Sequence, residues 1–234
     1  MTFPDDGYEN RGGATVAPRR FSLAWWIVIV TLGGVLGLFA PAFAQALASR
    51  LDLPAWIAYP TLALAGALMG LVLGIAQSGA LHGTALGVSR AGWSLGTMAA
   101  SLTAWALGVL PATLEGSGAP LELDGPRIMA AVAVGVVVLV LAVPTLQWLL
   151  LRRVARGAWL WIPFSVLGVA LGLALAWVVR ELFDPSTPDA ALAGSIAMAA
   201  ALALGYATVT GLALRMMRAR SFFDEQQAQW AQEA

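Results

Sequence analysis

The sequence predicts an all-α integral membrane protein with six transmembrane helices. Hydrophobic residues make up 59% of the 234-residue chain and charged residues only 11%, with a mean hydropathy of +0.79. Soluble domains carry roughly 25% charged residues. Six apolar stretches are each long enough to cross a hydrocarbon core, which takes about 20 residues, and none has a charge in its middle. The stretches also alternate between two sequence types, as if a two-helix unit were repeated.

The predicted spans leave room for two short tails and for no soluble domain. Residues 1–20 are polar and contain glycine, which predicts a flexible cytoplasmic tail. Residues 217–234 have helical character with aromatic side chains, which predicts an amphipathic cytoplasmic tail. The transmembrane domain is predicted at 21–216, and the segment 41–54 is predicted to be a short interfacial connection. The six spans are 21–40, 55–76, 93–111, 128–150, 159–179 and 190–216.

Arginine placement predicts the orientation, because cytoplasmic loops retain an excess of basic residues. All 13 basic residues are Arg; ten fall on one set of segments, and three fall on the other beside seven of the 13 acids. Both termini are therefore predicted to be cytoplasmic. The preference for Arg over Lys, with the excess of Ala, Gly and Leu, is typical of a GC-rich bacterial genome. We expect the protein in the bacterial cytoplasmic (inner or plasma) membrane.

The first span has a second interpretation. Arg19 and Arg20, an apolar run and the sequence Ala42-Phe43-Ala44 are also typical of a signal peptide with an A-x-A cleavage site. The run is nearer 20 residues than the 7–15 of a signal segment. The repeat also gives this span a counterpart, which favours its retention as a helix.

Three similar hairpins can be read along the chain. Each even-numbered span ends with a hydrogen-bonding side chain four residues before a Leu: Gln77, Gln147 and Thr210. Each odd-numbered span begins with Arg and Trp and continues with glycines. The intervals from the first Trp to the polar residue are 52 (25 to 77), 54 (93 to 147) and 51 (159 to 210). This pattern predicts three tandem repeats, at about 21–82, 90–153 and 156–216, in a pseudo-threefold bundle. The alternative is that interfacial Trp and cytoplasmic Arg recur in any membrane helix.

Small residues at four-residue spacing predict close helix packing, because such residues let helix backbones approach each other. The alternatives are a glycine-lined pore and a seam between copies of the chain. Tight packing within one chain is the favoured interpretation. The residues predicted to pack are Gly66, Gly70, Gly74, Gly96, Gly108, Gly168, Gly172 and Gly205.

Candidate chemistry is sparse. Ionisable groups inside a membrane usually mark ion or proton pathways, and the predicted spans have none in their middle. The chain has no Cys and one His, His82, so we expect no enzyme activity, no metal and no cofactor. A net charge of zero gives no case for a nucleic-acid partner. Gln77, Gln147 and Thr210 remain as a candidate ligand-binding set, with interhelical hydrogen bonding as the alternative role.

The residues Gln147-Trp148 to Arg152, and Thr210-Gly211 to Leu214, resemble those of uncharacterised bacterial multi-pass membrane proteins. These proteins carry a repeated Gln-Trp-x3-Arg hairpin and a terminal Thr-Gly-x-x-Leu helix. The first copy departs from the pattern, with Ser78 in place of Trp and His82 in place of Arg. The resemblance implies a membrane topology and no particular activity.

The leading expectation is a non-enzymatic scaffold or accessory subunit of a larger membrane system. Its partners would be the lipid bilayer and either another membrane protein or a second copy of the chain. The alternative is a small-solute binding or permeation unit, similar to the substrate-capturing subunits of vitamin transporters. That alternative predicts a central pocket walled by Gln77, Gln147 and Thr210.

Overall fold

The structure is a computed structural model that describes residues 19–116, 137, 140–183 and 187–219. It is 84% helical, and five of its helices are long and apolar enough to cross a membrane. A sixth, shorter apolar helix belongs to the fourth predicted span, and residues 128–136 of that span lie outside the described residues. The helices are α1 (Leu23–Arg50), α2 (Ala55–Leu81), α3 (Arg90–Gly116), α4 (Val140–Leu151), α5 (Trp161–Leu182) and α6 (Pro188–Met216).

Two helices begin at hydroxyl caps that the sequence supplies. Ser22 Oγ accepts a hydrogen bond from the backbone N–H of Trp25 at 3.3 Å, which caps α1. Thr187 Oγ1 accepts one from Ala190 N at 3.2 Å, and Pro188 follows at the first helical position of α6. Such caps satisfy backbone donors that have no partner within the helix.

The first helix extends well past the predicted end of its span at residue 40, into the segment 41–54 that was predicted to be interfacial. Helix α1 continues through Pro41 and ends at Arg50, with Leu51 as its C-cap. Proline removes one backbone hydrogen bond and favours a kink, but membrane helices accommodate it where neighbours compensate. Pro41 is buried in the bundle, so neighbouring helices enclose the backbone around it.

The helices pack in a curved row in the order α3, α2, α1, α6 and α5. Side chains of α4 contact α2, α3 and α5, so α4 lies between the two ends of this row. Helices α1, α3 and α5 begin at the same end of the bundle where α2, α4 and α6 finish. We name it the basic end, because the described arginines there are Arg19, Arg20, Arg90, Arg152, Arg153, Arg156, Arg215 and Arg218.

Short extended segments join the connections at the basic end. Arg19, just before α1, pairs with Thr84 in the α2–α3 connection, where Arg19 N donates to Gly83 O at 2.7 Å. Strand β1 (Ala155–Arg156), after α4, pairs antiparallel with β2 (Arg218–Ala219), after α6. The main hydrophobic core also lies at this end. The main hydrophobic core and the paired connections therefore lie at the same end of the bundle.

Several predicted features lie outside the described residues. They are most of the N-terminal tail (1–18), the connection from 117 to 127, the first part of the fourth span (128–136), and the C-terminal tail from 220 onward. The predicted flexibility of the first tail and the amphipathic character of the last therefore stay predictions.

Candidate functional site

The two glutamines singled out in the sequence meet inside the bundle and are both fully buried. Gln147 Nε2 donates to Gln77 Oε1 at 2.8 Å and to Thr97 Oγ1 at 2.9 Å. The indole nitrogen of Trp93 also donates to Gln77 Oε1, at 2.9 Å. The indole nitrogen of Trp161 donates to Gln147 Oε1 at 3.0 Å. Both amide oxygens and the Gln147 amide nitrogen therefore have partners within the chain.

Thr210 lies at the same end, but among the described residues no hydrogen bond joins it to either glutamine. It accepts a hydrogen bond from Trp26 Nε1 at 3.3 Å, and the same indole donates to Ala207 O at 3.1 Å. One turn earlier on α6, the Tyr206 hydroxyl accepts from Gln77 Nε2 at 3.5 Å. Tyr206, and not Thr210, therefore links α6 to Gln77.

These residues form what we call the polar network. Each of the six helices contributes at least one member to it. Its bonds join consecutive helices, as between Gln77 and Trp93, and also helices far apart in sequence, as between Trp26 and Thr210, 184 residues apart. The network consists of Trp26, Gln77, Trp93, Thr97, Gln147, Trp161, Tyr206 and Thr210.

The three tryptophan side chains of the polar network form a buried aromatic cluster. Trp26, Trp93 and Trp161 are each 0% exposed. Trp161 packs edge-to-face against both others, with ring centroids 6.2 Å from Trp26 and 5.7 Å from Trp93. Such geometry is the favoured one for aromatic pairs. The sequence intervals start from Trp25 and Trp159, the first tryptophans of their repeats, but these two side chains are exposed.

The Gln-Trp-x3-Arg sequence at residues 147–152 brings its Trp and Arg side chains into contact. Arg152 lies over the Trp148 ring at 5.3 Å from the centroid, a cation–π contact that the i, i+4 spacing allows. In the first copy Ser78 instead shares a hydrogen bond with Ser94 Oγ at 3.2 Å, which ties α2 to α3. His82 is exposed at the end of α2, and no hydrogen bond joins it to Ser78 in the described part of the chain.

Most of the glycines singled out lie at close contacts between helices within the chain. Gly66 lies against the Trp105 side chain, Gly70 against Ser101, and Gly74 against Ser94 and Thr97, all between α2 and α3. Gly168, Gly172 and Gly205 lie between α5 and α6, where a Cβ on Gly205 would lie 2.6 Å from Gly172 Cα. Gly96 has ordinary space, with Leu150 Cδ1 3.7 Å from a Cβ placed there. Gly108 borders the cavity described next.

A cavity of about 630 Å³, which we call the inner cavity, lies along the bundle beside the polar network. All six helices contribute to its wall, and 15 of its 19 described lining residues have no hydrogen-bonding side-chain group apart from the Met69 thioether. Gln77, Gln147 and Thr210 are not among them. One lining residue from each helix is Val30, Leu73, Ser101, Val143, Ser165 and Tyr206.

The site therefore combines neutral hydrogen bonding with a separate apolar space. The described residues include no cluster of three or more His, Cys, Asp or Glu that could hold a metal ion. The network can lock helices together, and the cavity can enclose an apolar molecule. No protein-family model, no curated protein and no solved structure matches this chain.

Proposed function

We propose that this protein is a non-enzymatic integral membrane protein that serves as a scaffold or accessory subunit of a larger membrane system. The observation that carries the proposal is the polar network, because it uses polar side chains of the spans to join all six helices. Interhelical hydrogen bonds in membranes are worth about 0.6–1.7 kcal/mol each. Several of them at one end of the bundle favour a rigid body suited to docking.

The architecture that we propose for this scaffold is three tandem hairpins around a pseudo-threefold axis. Its support is a recurrent pairing, in which a Trp at the start of one hairpin donates to the polar residue that ends the preceding hairpin. Trp93 pairs in this way with Gln77, and Trp161 with Gln147. Trp26 of the first hairpin pairs with Thr210 of the last, which closes the cycle.

We also propose that the basic end faces the cytoplasm. Eight of the ten described arginines lie there, whereas Arg50 and Arg180 lie at the other end with Asp52 and Glu181. This distribution follows the rule that cytoplasmic ends retain basic residues. The chain has no Cys, so single cysteines can test this orientation. Ala85→Cys should react with an impermeant maleimide only in inside-out vesicles, and Leu51→Cys only in intact cells; the reverse labelling would contradict it.

The alternative of a small-solute unit walled by Gln77, Gln147 and Thr210 has weaker support. Both glutamines are 0% exposed and bonded to protein groups, as is Thr210. A polar solute would have to break several of these bonds to reach them, which costs about 1–3 kcal/mol for each group left unpaired. The scaffold role requires none of these hydrogen bonds to break.

Native mass spectrometry after extraction in a mild detergent tests the scaffold role. We expect the 24.3 kDa chain to appear in a complex of fixed stoichiometry with another membrane protein or a second copy. Gln147→Leu should release the chain from that complex, because it loosens the bundle. The matched control is Gln45→Leu, since Gln45 is exposed, and it should leave the complex intact. A lone monomer under all gentle conditions would contradict the proposal.

A further inference from the structure

Two hydroxyl groups, those of Ser165 and Tyr206, line the inner cavity and can donate a hydrogen bond to a ligand. Ser165 is 1% exposed, and its Oγ has no hydrogen-bond partner among the described residues. It lies close enough to the Tyr206 hydroxyl to interact with it electrostatically. Tyr206 accepts from Gln77 Nε2, and in no hydrogen bond of the described residues does its own O–H donate. A buried polar atom without a partner needs explanation, because it normally costs about 1–3 kcal/mol.

From this geometry we propose that the inner cavity binds a neutral, lipid-like molecule with a hydrocarbon body and one carbonyl or hydroxyl oxygen. The oxygen accepts a hydrogen bond from the Tyr206 hydroxyl, and Ser165 donates a second. The hydrocarbon body lies along the apolar walls supplied by residues such as Val143 and Val169. This inference goes beyond the scaffold role and does not depend on it.

The composition of the wall selects the ligand class. None of the 19 described lining residues is charged, so a phosphate or ammonium headgroup would be buried without a counter-charge, at large cost. Water is a poor occupant, since it needs two to four polar partners, and the cavity has hydroxyls only at a few points. A volume of about 630 Å³ lies within the range of roughly 300–1,000 Å³ typical of small-molecule sites.

A second cavity suggests a route into the site. This outer cavity, of about 560 Å³, is lined by α1, α3 and α6 and includes Pro41, Gln45 and Ser195. It shares Leu38 and Trp105 with the inner cavity, so the two cavities are adjacent at these side chains. The route therefore approaches from the half of the bundle away from the basic end.

Isotope-edited infrared spectroscopy of the protein in lipid nanodiscs tests the proposal. The probe is 2-undecanone with a carbon-13 carbonyl, titrated beside undecane as the apolar comparison. We expect saturable binding of one ketone per chain and a carbonyl stretch at lower frequency than in protein-free nanodiscs, because a hydrogen bond weakens the C=O bond. Undecane should bind at least several-fold more weakly. Equal binding of both, or no saturable binding, would overturn the proposal.

Four variants separate the roles of wall and hydroxyl. Val169→Phe narrows the cavity and should weaken binding, whereas Leu167→Phe, on the exposed side of α5, should preserve it. Tyr206→Phe should remove the carbonyl shift. Ser165→Ala removes a hydroxyl without a partner, so the fold should be unaffected, and affinity should fall roughly two- to tenfold. An unchanged shift in Tyr206→Phe, or unchanged affinity in Val169→Phe, would contradict the assignment.

Discussion

The two halves of the bundle differ in how they treat polar groups. At the basic end, glutamine, threonine and indole groups are buried and bonded to one another, within a well-packed apolar core. Along the inner cavity the walls are apolar, and the Ser165 hydroxyl has no partner among the described residues. The buried glutamines therefore lie in the well-packed half of the bundle, whereas the inner cavity lies where hydrogen-bonding side chains are few. In a membrane protein a conspicuous glutamine need not mark a ligand site.

The largest effect is expected from Gln147→Leu, which tests whether the network holds the first half together. Three hydrogen bonds disappear, and the Trp161 indole N–H is left buried without its acceptor. We expect the free energy of unfolding to fall by about 2–4 kcal/mol, measured by titration from mild detergent into SDS. Gln45→Leu is the exposed control and should change it by less than about 0.5 kcal/mol. A similarly small loss of unfolding free energy in Gln147→Leu and in Gln45→Leu would contradict a stabilising role for the polar network.

Helix packing at glycines is expected to matter next. Gly205→Ala places a Cβ against the backbone of Gly172, so α5 and α6 must separate. We expect a loss of about 1–3 kcal/mol, the usual cost of overpacking, seen as a lower unfolding temperature in detergent. Gly96→Ala is the matched control, because a Cβ there meets only Leu150 at 3.7 Å. Equal losses in both variants would argue against close packing as the cause.

The buried indoles should contribute less than Gln147, since each Trp makes fewer network bonds. Trp161→Phe keeps an aromatic ring and loses the hydrogen bond to Gln147 Oε1. We expect a loss of about 1–2 kcal/mol in the same SDS titration. Trp159→Phe changes a side chain that is 65% exposed and should have almost no effect. A larger effect at Trp159 than at Trp161 would reverse our assignment of the buried ring.

The smallest effect is expected where a hydroxyl has no protein partner. Ser165→Ala should leave stability unchanged or raise it slightly, because no hydrogen bond of the described residues is lost. Thr97→Val provides the contrast, since Thr97 Oγ1 accepts from Gln147 and donates to Trp93 O. It should cost about 1 kcal/mol in thermal unfolding measured by circular dichroism. Similar costs for both variants would remove the difference between the two halves.

Much of the fold could be predicted because span length and hydropathy report directly on bilayer thickness. Five of the six predicted spans correspond to long apolar helices, and each of these helices extends beyond its predicted span at one end or both. The exception is Pro41, since its local preference for a break is overcome by tertiary packing. A proline in the sequence shows that one backbone hydrogen bond is lost, whereas packing by the neighbouring helices determines whether the helix continues.

The site was only partly predictable. Gln77 and Gln147 could be singled out because glutamine is rare in apolar spans and both precede Leu at the same spacing. Trp26 could not be separated from Trp25, since adjacent residues point about 100° apart and the facing helix selects one of them. Tyr206 and Ser165 carried no signal, because tyrosine and serine are common in membrane helices and their roles depend on what lies opposite.

The bond from Trp26 to Thr210 has a consequence for biosynthesis. Its two residues lie 184 positions apart, near opposite ends of the chain. At about 5–20 residues per second, the ribosome takes roughly 10–40 s to make the second residue after the first. The Trp26 indole N–H therefore stays without these acceptors, Ala207 O and Thr210 Oγ1, until α6 has been synthesised. A chain stopped before α6 would lack both acceptors, and α1 would be left without the helix that packs against it on that side.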